Sequence, residues 1–360
     1  MEKRWQPKYQ ISNSIIDSLM KIASLRDAIS GTSILSKFEA KLKHEARLKS
    51  THFSTRIEGN RLSLRQTKDV IDGNKKDFFG RERDVKEVEN YWNALIEVEK
   101  FAAKQTVFNE ELIKKIHALV EKGKKAGPTP YRPEQNVIKD SKTGGIVYLP
   151  PEVKDVPGLM KEFVNWVKWA EEAKIPIPVI AALTHYQFVT IHPYYDGNGR
   201  TARLLAAFIL QKGNFGLNGM FSLEEYHARE IETYYNELST HPHHNYYEGR
   251  ETADLTKWII YFLKLIEDAF KELKETVQAE TISGVKKNLD NIKQLDRRAK
   301  EIYPLFELSN TITSLDIARV LKVKKRMAAY LAKDWVKNGF LLAVGTSNKT
   351  RAYILADKYK

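Results

Sequence analysis

Apolar positions recur at helical spacing along most of the chain. Ile15, Ile16, Leu19, Ile22, Ala23 and Leu25 set a helix over Asn13 to Ile29, with Gly31 as its stop. A longer helix is predicted from Leu35 to Ile57, and its end reads S-T-R-I-E-G-N over residues 54–60, with Gly59 where a helix commonly stops. Val85, Val88, Trp92, Leu95, Ile96 and Val98 give one apolar side to Arg81–Phe101. Asn109 caps the next helix, with Glu110 and Glu111 in its first turn and His117 inside it as a packed histidine. Val156–Ala170 and Val179–Ile191 are separated by Pro176 and Pro178. The run Leu204–Leu210 is apolar enough for a buried helix, and Ser222–Leu238 and Asp254–Glu280 complete the series.

The helical pattern breaks twice. Within 131–151, two short β-prone runs, Asn136–Lys139 and Ile146–Leu149, flank a polar turn with Gly144 and Gly145, which predicts a hairpin with an exposed edge. An extended peptide can add to such an edge through main-chain hydrogen bonds. The second break lies near the C-terminus. A helix over Leu289–Leu305, a short one over Ser314–Leu321 and another over Lys324–Asn338, stopped by Gly339, precede two apolar runs, Phe340–Val344 and Ala352–Leu355. That is the order of a winged helix-turn-helix. The expected fold class is mainly α: a helical bundle with a short hairpin, followed by a winged helix-turn-helix. The expected domains are 1–75, 76–280 and 285–360.

With 360 residues, 42% of them hydrophobic, the chain can bury two or three cores. The absence of cysteine excludes disulfides, thiolate zinc sites and thiol catalysis. No apolar run reaches the roughly 18 residues of a membrane span and the N-terminal residues lack a signal-peptide core, so a cytoplasmic protein without membrane contact is expected. The net charge of +13 is uneven: residues 285–360 hold 17 Lys and Arg against 7 Asp and Glu. Such a surplus, with Lys324, Lys325, Arg326 and Lys333 on the third helix and Lys349 and Arg351 on the wing, suits phosphate-backbone contact by nucleic acid. A protein-docking module remains the other reading of the same unit.

The densest chemistry lies in I-H-P-Y-Y-D-G-N-G-R-T-A-R, residues 191–203. His192 precedes Pro193, which disfavours helix there and leaves the imidazole on a loop. Gly197, Asn198 and Gly199 tolerate the backbone of an anion-binding nest that runs into a helix N-terminus. Arg200 and Arg203, three apart, can offer forked donors to phosphate, and Asp196 can hold Mg²⁺ on the same phosphates. No Ser or Cys adjoins the base, so the attacking hydroxyl must come from the substrate, with His192 taking its proton. No Walker-type phosphate loop occurs in the chain. His185, two turns before His192, reads as a core histidine. His241, His243 and His244 read as a solvated loop rather than a metal site.

This stretch resembles the active-site motif of Fic-domain proteins, H-x-F-x-[D/E]-G-N-G-R-x-x-R, with Tyr194 where that family most often has Phe. The resemblance implies a Fic-like helical bundle that transfers AMP from Mg·ATP to a Ser, Thr or Tyr hydroxyl of a protein, itself included. It makes His192 the base and Asp196 the metal ligand, assigns Asn198 and Arg200 to the α- and β-phosphates, and gives Arg203 the γ-phosphate. Residues 54–60 resemble the family's inhibitory motif [S/T]-x-x-x-E-[G/N], in which Glu58 would pair with Arg203 and block the γ-phosphate. The hairpin would be the flap that holds the target segment. Tyr234 and Tyr235 would line the adenine pocket, with Asn245, in preference to Asn236, contacting adenine. Removal of AMP at the same site, and release of inhibition by homodimer contacts, self-modification or a partner, stay open. The alternative from another class is a DNA-binding regulator whose core senses nucleotide.

Overall fold

The computed structural model describes residues 3–359 except 33, 35, 75–77, 79–80, 125–126, 140–142 and 345–351. It divides into two compact units, Met1–Glu275 and Thr276–Lys360.

The first unit is built on α7 (Ile177–Ile191), in which every residue from Pro178 to Ile191 except Val189 is buried. A helix buried on all sides has no solvent face to offer, so it becomes the centre around which others pack. Pro178 lies inside its first turn, where a missing amide costs nothing. α8 (Asn198–Lys212) returns along α7, so the short loop between them sits at one end of the hairpin. Around this pair lie α2 (Ser36–Ile57), α4 (Glu82–Ala103), α5 (Glu110–Lys122) and α6 (Val156–Glu172). α1 (Asn13–Ser30) precedes α2, and α11 (Thr256–Lys293) contributes Trp258, whose indole N–H donates to the Ala182 carbonyl of α7 at 2.7 Å.

Three differences from the sequence expectation have local causes. α3 (Leu64–Ile71) is a helix of two turns beyond those expected from the sequence. It is nucleated by a capping box in which Ser63 Oγ accepts from the Gln66 amide while the Gln66 side chain accepts from the Ser63 amide. The helix expected over Ser222–Leu238 is two, α9 (Leu223–Arg229) and α10 (Ile231–Leu238), because Glu230 leaves helical geometry at φ −123°, ψ 52°. The helix expected over Leu289–Leu305 is instead the end of α11 followed by short α12 (Arg297–Ile302) and α13 (Leu305–Leu308). Asp296 starts α12 by accepting from the Arg298 and Ala299 amides. The hairpin pairs β1 (Ile138–Lys139) antiparallel with β2 (Ile146–Tyr148).

The second unit has its own core, with Ala299, Ile302, Ile317, Ala332, Trp335 and Phe340 buried together. α14 (Ser314–Leu321) and α15 (Lys325–Lys337) pack on each other beside a three-stranded antiparallel sheet, order β3 (Ile312–Thr313), β5 (Ala352–Leu355), β4 (Leu341–Val344). Strand β3 adds two residues that alternation over so short a run does not reveal. The arrangement is compatible with a winged helix-turn-helix, and Lys349 and Arg351 lie outside the described residues. No helix among the described residues is long and apolar enough to cross a membrane.

Candidate active site

The site begins where α7 stops. His192 takes a left-handed conformation, φ 52° and ψ 57°, while its amide still donates to Phe188 O at 3.0 Å. A branched side chain held there costs on the order of 1–3 kcal/mol and needs support from its surroundings. The support is Arg132, a residue the sequence did not single out. Its side chain is buried, Nε donates to His192 O at 3.1 Å, Nη1 to Glu134 O at 3.0 Å and Nη2 to Pro151 O. Its own amide donates to Pro193 O at 2.9 Å. A guanidinium beside β-prone runs carries no motif of its own, so only the fold shows that Arg132 ties both ends of the hairpin to the backbone of the His192 turn. On the other side, His117 stacks on Tyr194 with ring centroids 3.5 Å apart, and its Nε2 lies 2.9 Å from Asp196 O. Burial holds the His117 imidazole at about 4.

His192 Nδ1 lies 3.2 Å from Val189 O, a pairing that requires the proton on Nδ1 and leaves the Nε2 lone pair free. Burial, only partly offset by that hydrogen bond, lowers the imidazole to about 4, so it is neutral at pH 7.

The loop after it forms the anion nest. Gly197 has φ 75° and is the N-cap of α8, so no cap side chain takes up the first-turn amides of that helix. A Cβ on Gly197 would also lie 2.5 Å from Glu121 Oε1. The Asn198 carboxamide bridges the Tyr194 backbone, Nδ2 donating to Tyr194 O at 2.8 Å and Oδ1 accepting from Tyr194 N at 3.1 Å. The side chain mimics a peptide group and shapes the loop, and its second N–H remains for an anion. Arg200, 2% exposed, lies 2.9 Å from Asp196, 3.0 Å from Glu121 and 3.9 Å from Glu87. Burial alone would raise Asp196, but Arg200, the Gly197 amide and Arg83 outweigh it and hold the carboxyl below its usual range. Burial likewise raises Glu121, with Arg200 opposing.

Arg203 is the other buried cation. Nε donates to Ser54 Oγ at 2.8 Å, and Nη2 to Ser54 O and to Glu58 Oε1, both at 2.9 Å. Glu58 comes from the turn that ends α2, and its Oε1 stands so close over Gly199 that a Cβ there would collide with it. Arg203 Nη1 and Arg200 Nε are buried without a hydrogen-bond partner among the described residues. Both guanidiniums therefore retain donors that protein groups do not use.

The aromatic pair divides. Tyr234 is buried and its hydroxyl meets His185 Nε2 at 3.2 Å, within a cluster where His185 stacks on Trp258. Tyr235 is 49% exposed and its hydroxyl reaches Ile57 O, next to Glu58, at 3.4 Å. Neighbours on a helix point about 100° apart, so only Tyr235 can face an opening. Asn245 lies beside the hairpin. It forms a bridge with Leu149 at the hairpin, accepts from the Tyr247 amide and donates to Glu248. The local turn uses its side chain.

Residues 107–210 match the Fic/DOC family. The chain carries a Fic domain. It is 30% identical over 198 residues to "Protein adenylyltransferase Fic" of Culex quinquefasciatus, covering 53% of this chain and 37% of that one. The protein of the same name from Drosophila virilis is 28% identical over 204 residues, 55% of this chain and 39% of that one. The chain thus spans well under half the length of these relatives. In fold it is similar to a Fic family protein from Desulfovibrio desulfuricans G20, with TM-score 0.61 and 21% identity over 98% of this chain and 99% of that one. It also resembles Fic-1 from C. elegans, with TM-score 0.59 and 22% identity over 74% of this chain and 73% of that one. The matched Fic domain holds the hairpin, Arg132 and the whole motif loop, whereas Glu58, Tyr234, Tyr235 and Asn245 lie outside it.

Among the described residues no group of three or more His, Asp or Glu forms a metal cage. Asp196, ionised and with 54% of its side chain exposed, nevertheless fits a cation that is held by one carboxylate together with substrate phosphates.

Proposed function

We propose that this protein is an adenylyltransferase that moves AMP from ATP to a protein hydroxyl, and that Glu58 holds it back. The relatives named as protein adenylyltransferases support the class of reaction. The residues support the direction of proton flow. A target Ser, Thr or Tyr oxygen attacks the α-phosphorus, its proton passes to His192 Nε2, the bond from the α-phosphorus to the bridging oxygen breaks, and pyrophosphate leaves. The uncapped N-terminus of α8 and the Arg200 and Arg203 guanidiniums, each with one unpartnered donor among the described residues, would stabilise the charge that builds on the phosphates. Mg²⁺ on Asp196 would supply charge neutralisation between phosphates. The hairpin edge, with Ile146 50% and Val147 47% exposed, offers a strand for the target segment.

One observation carries the restraint: the Glu58 carboxylate occupies Arg203 Nη2 and the space over Gly199 at the same time. A γ-phosphate that sought that arginine would meet a carboxylate of like charge. The test of the chemistry is transfer of label from the α-phosphate of ATP into protein. His192→Ala is expected to lower it by on the order of 10²- to 10⁴-fold while ATP still binds. Full transfer by that variant would refute the assignment of the base.

A further inference from the structure

We propose that the C-terminal unit is a winged helix-turn-helix that binds duplex DNA, with α15 as the helix that enters the major groove. The proposal does not depend on AMP transfer.

α14 and α15 are joined by residues 322–324, in which Lys322 is left-handed at φ 54° and turns the chain. A short turn between two packed helices, braced by a three-stranded sheet, is the helix-turn-helix with its wing. α15 buries Ala328, Ala332 and Trp335 in the core. Its opposite side presents Arg326, Tyr330, Lys333 and Lys337, all exposed and spaced as one stripe along the helix. Tyr330 is 68% exposed and Met327 beside it 47%, an unusual position for large side chains with nothing to cover them.

The charge decides among occupants. Lys322, Lys324, Lys325, Arg326, Lys333 and Lys337 are exposed and none is in an ion pair with a described carboxylate, while Arg319 has only Asp316 at 3.9 Å. With 17 basic against 7 acidic residues over 285–360, this surface lacks the alternating signs of an ordinary solvated face. Lys324, the N-cap of α15, gives no side-chain cap, so no cap side chain competes with a phosphate at that end, where of the first amides Met327's donates to Lys324 O at 2.9 Å. A polyanion of regular spacing meets all of these at once. The 13 residues of α15 span about 20 Å, and B-DNA's major groove is about 12 Å wide, whereas the deep, narrow groove of A-form RNA excludes a helix. Tyr330 and Met327 would then meet the groove, where thymine methyls offer apolar contact.

The test uses the full chain and a fluorescently labelled duplex of about 25 bp, followed by anisotropy between about 50 and 200 mM salt. If about five cations neutralise phosphates, the slope of log affinity against log salt is about −4 to −5. Replacing Arg326→Ala and Lys333→Ala together is expected to weaken binding more than tenfold and to reduce the slope by about 2. Melting temperature and label transfer should stay unchanged, as should DNA binding by a Lys41→Ala, Lys161→Ala control in the other unit. No binding at the lowest salt would overturn the proposal. So would binding that ignores the two substitutions, or equal affinity for single strands and duplex RNA with the same sensitivity, since that marks a mere polycation.

Discussion

Glu58 can be removed in two ways that separate its charge from its bulk. Glu58→Gln keeps the volume over Gly199 and loses the negative charge on Arg203, whereas Glu58→Gly loses both. Arg203 stays in place in either variant, because Ser54 Oγ and Ser54 O hold it at 2.8 and 2.9 Å. A hydrogen bond between charged groups is worth roughly 1.5–3 kcal/mol. With 30% of the Glu58 side chain exposed, solvent screening reduces that to about 1–2 kcal/mol. If this energy stands between ATP and its productive pose, Glu58→Gln raises label transfer about tenfold, at about 1.4 kcal/mol per decade. Glu58→Gly also opens the space over Gly199 and should gain more, on the order of 10²-fold in all. Stability moves the opposite way, since Arg203 loses a partner: the melting temperature falls by about 2–4 °C for each kcal/mol. The assay is single-turnover transfer from α-labelled ATP, run beside thermal melts, with His192→Ala added to each variant as the dark control. Gain of activity with loss of stability is the expected signature. Unchanged transfer in both variants, with ATP still bound, would falsify the restraint and leave Glu58–Arg203 as a structural pair.

Because burial holds His192 near 4, kcat/KM should stay flat from pH 8 to about 5 and fall below that as the imidazole protonates. A midpoint at 6 to 7 would mean that the free enzyme does not bury the base as described. Arg132→Lys keeps the charge but not the fork: label transfer should drop on the order of 10²-fold through misplacement of His192, while KM for ATP changes little. Loss of ATP affinity in equal measure would instead mark a general collapse. Gly197→Ala meets both a positive φ and the Glu121 carboxylate, so it should destabilise by about 1–3 kcal/mol. Adding Glu121→Ala should restore part of the loss, the clash, but not the backbone strain. Full rescue would show that φ 75° carries no cost.

Much of the fold was legible because half-buried helices such as α1 and α4 repeat their apolar positions at helical spacing, and a helix buried on all sides such as α7 reads as a long apolar run. The motif loop was legible because its chemistry is contiguous: base, carboxylate, glycines and arginines lie within residues 192–203. What periodicity missed was short or interrupted. α3 is only two turns long, and the break at Glu230 leaves no Pro or Gly to announce it. Roles that depend on who already holds a side chain were also hidden. Nothing in the sequence says that the Asn198 carboxamide is taken by the Tyr194 backbone, that Tyr234 points into the His185 cluster, or that Asn245 closes a turn beside the hairpin. Arg132 is the clearest case. Its importance comes from carbonyls at positions 134, 151 and 192, which are brought together only by folding.

That arginine divides the hairpin into two zones with different freedoms. Its base is committed, since any shift of residues 132–135 or 150–151 is felt at the carbonyl of His192. Strand β2 has a tie of its own, Tyr148 OH donating to Thr190 O at 2.6 Å, whereas Ile146 and Val147 are exposed to solvent. If the proposed transfer is right and the target segment lies along this edge, substitutions at Ile146 and Val147 would change which polypeptide is held while the ties at the root keep His192 in place. Choice of target and execution of the reaction would then rest on different residues of one hairpin.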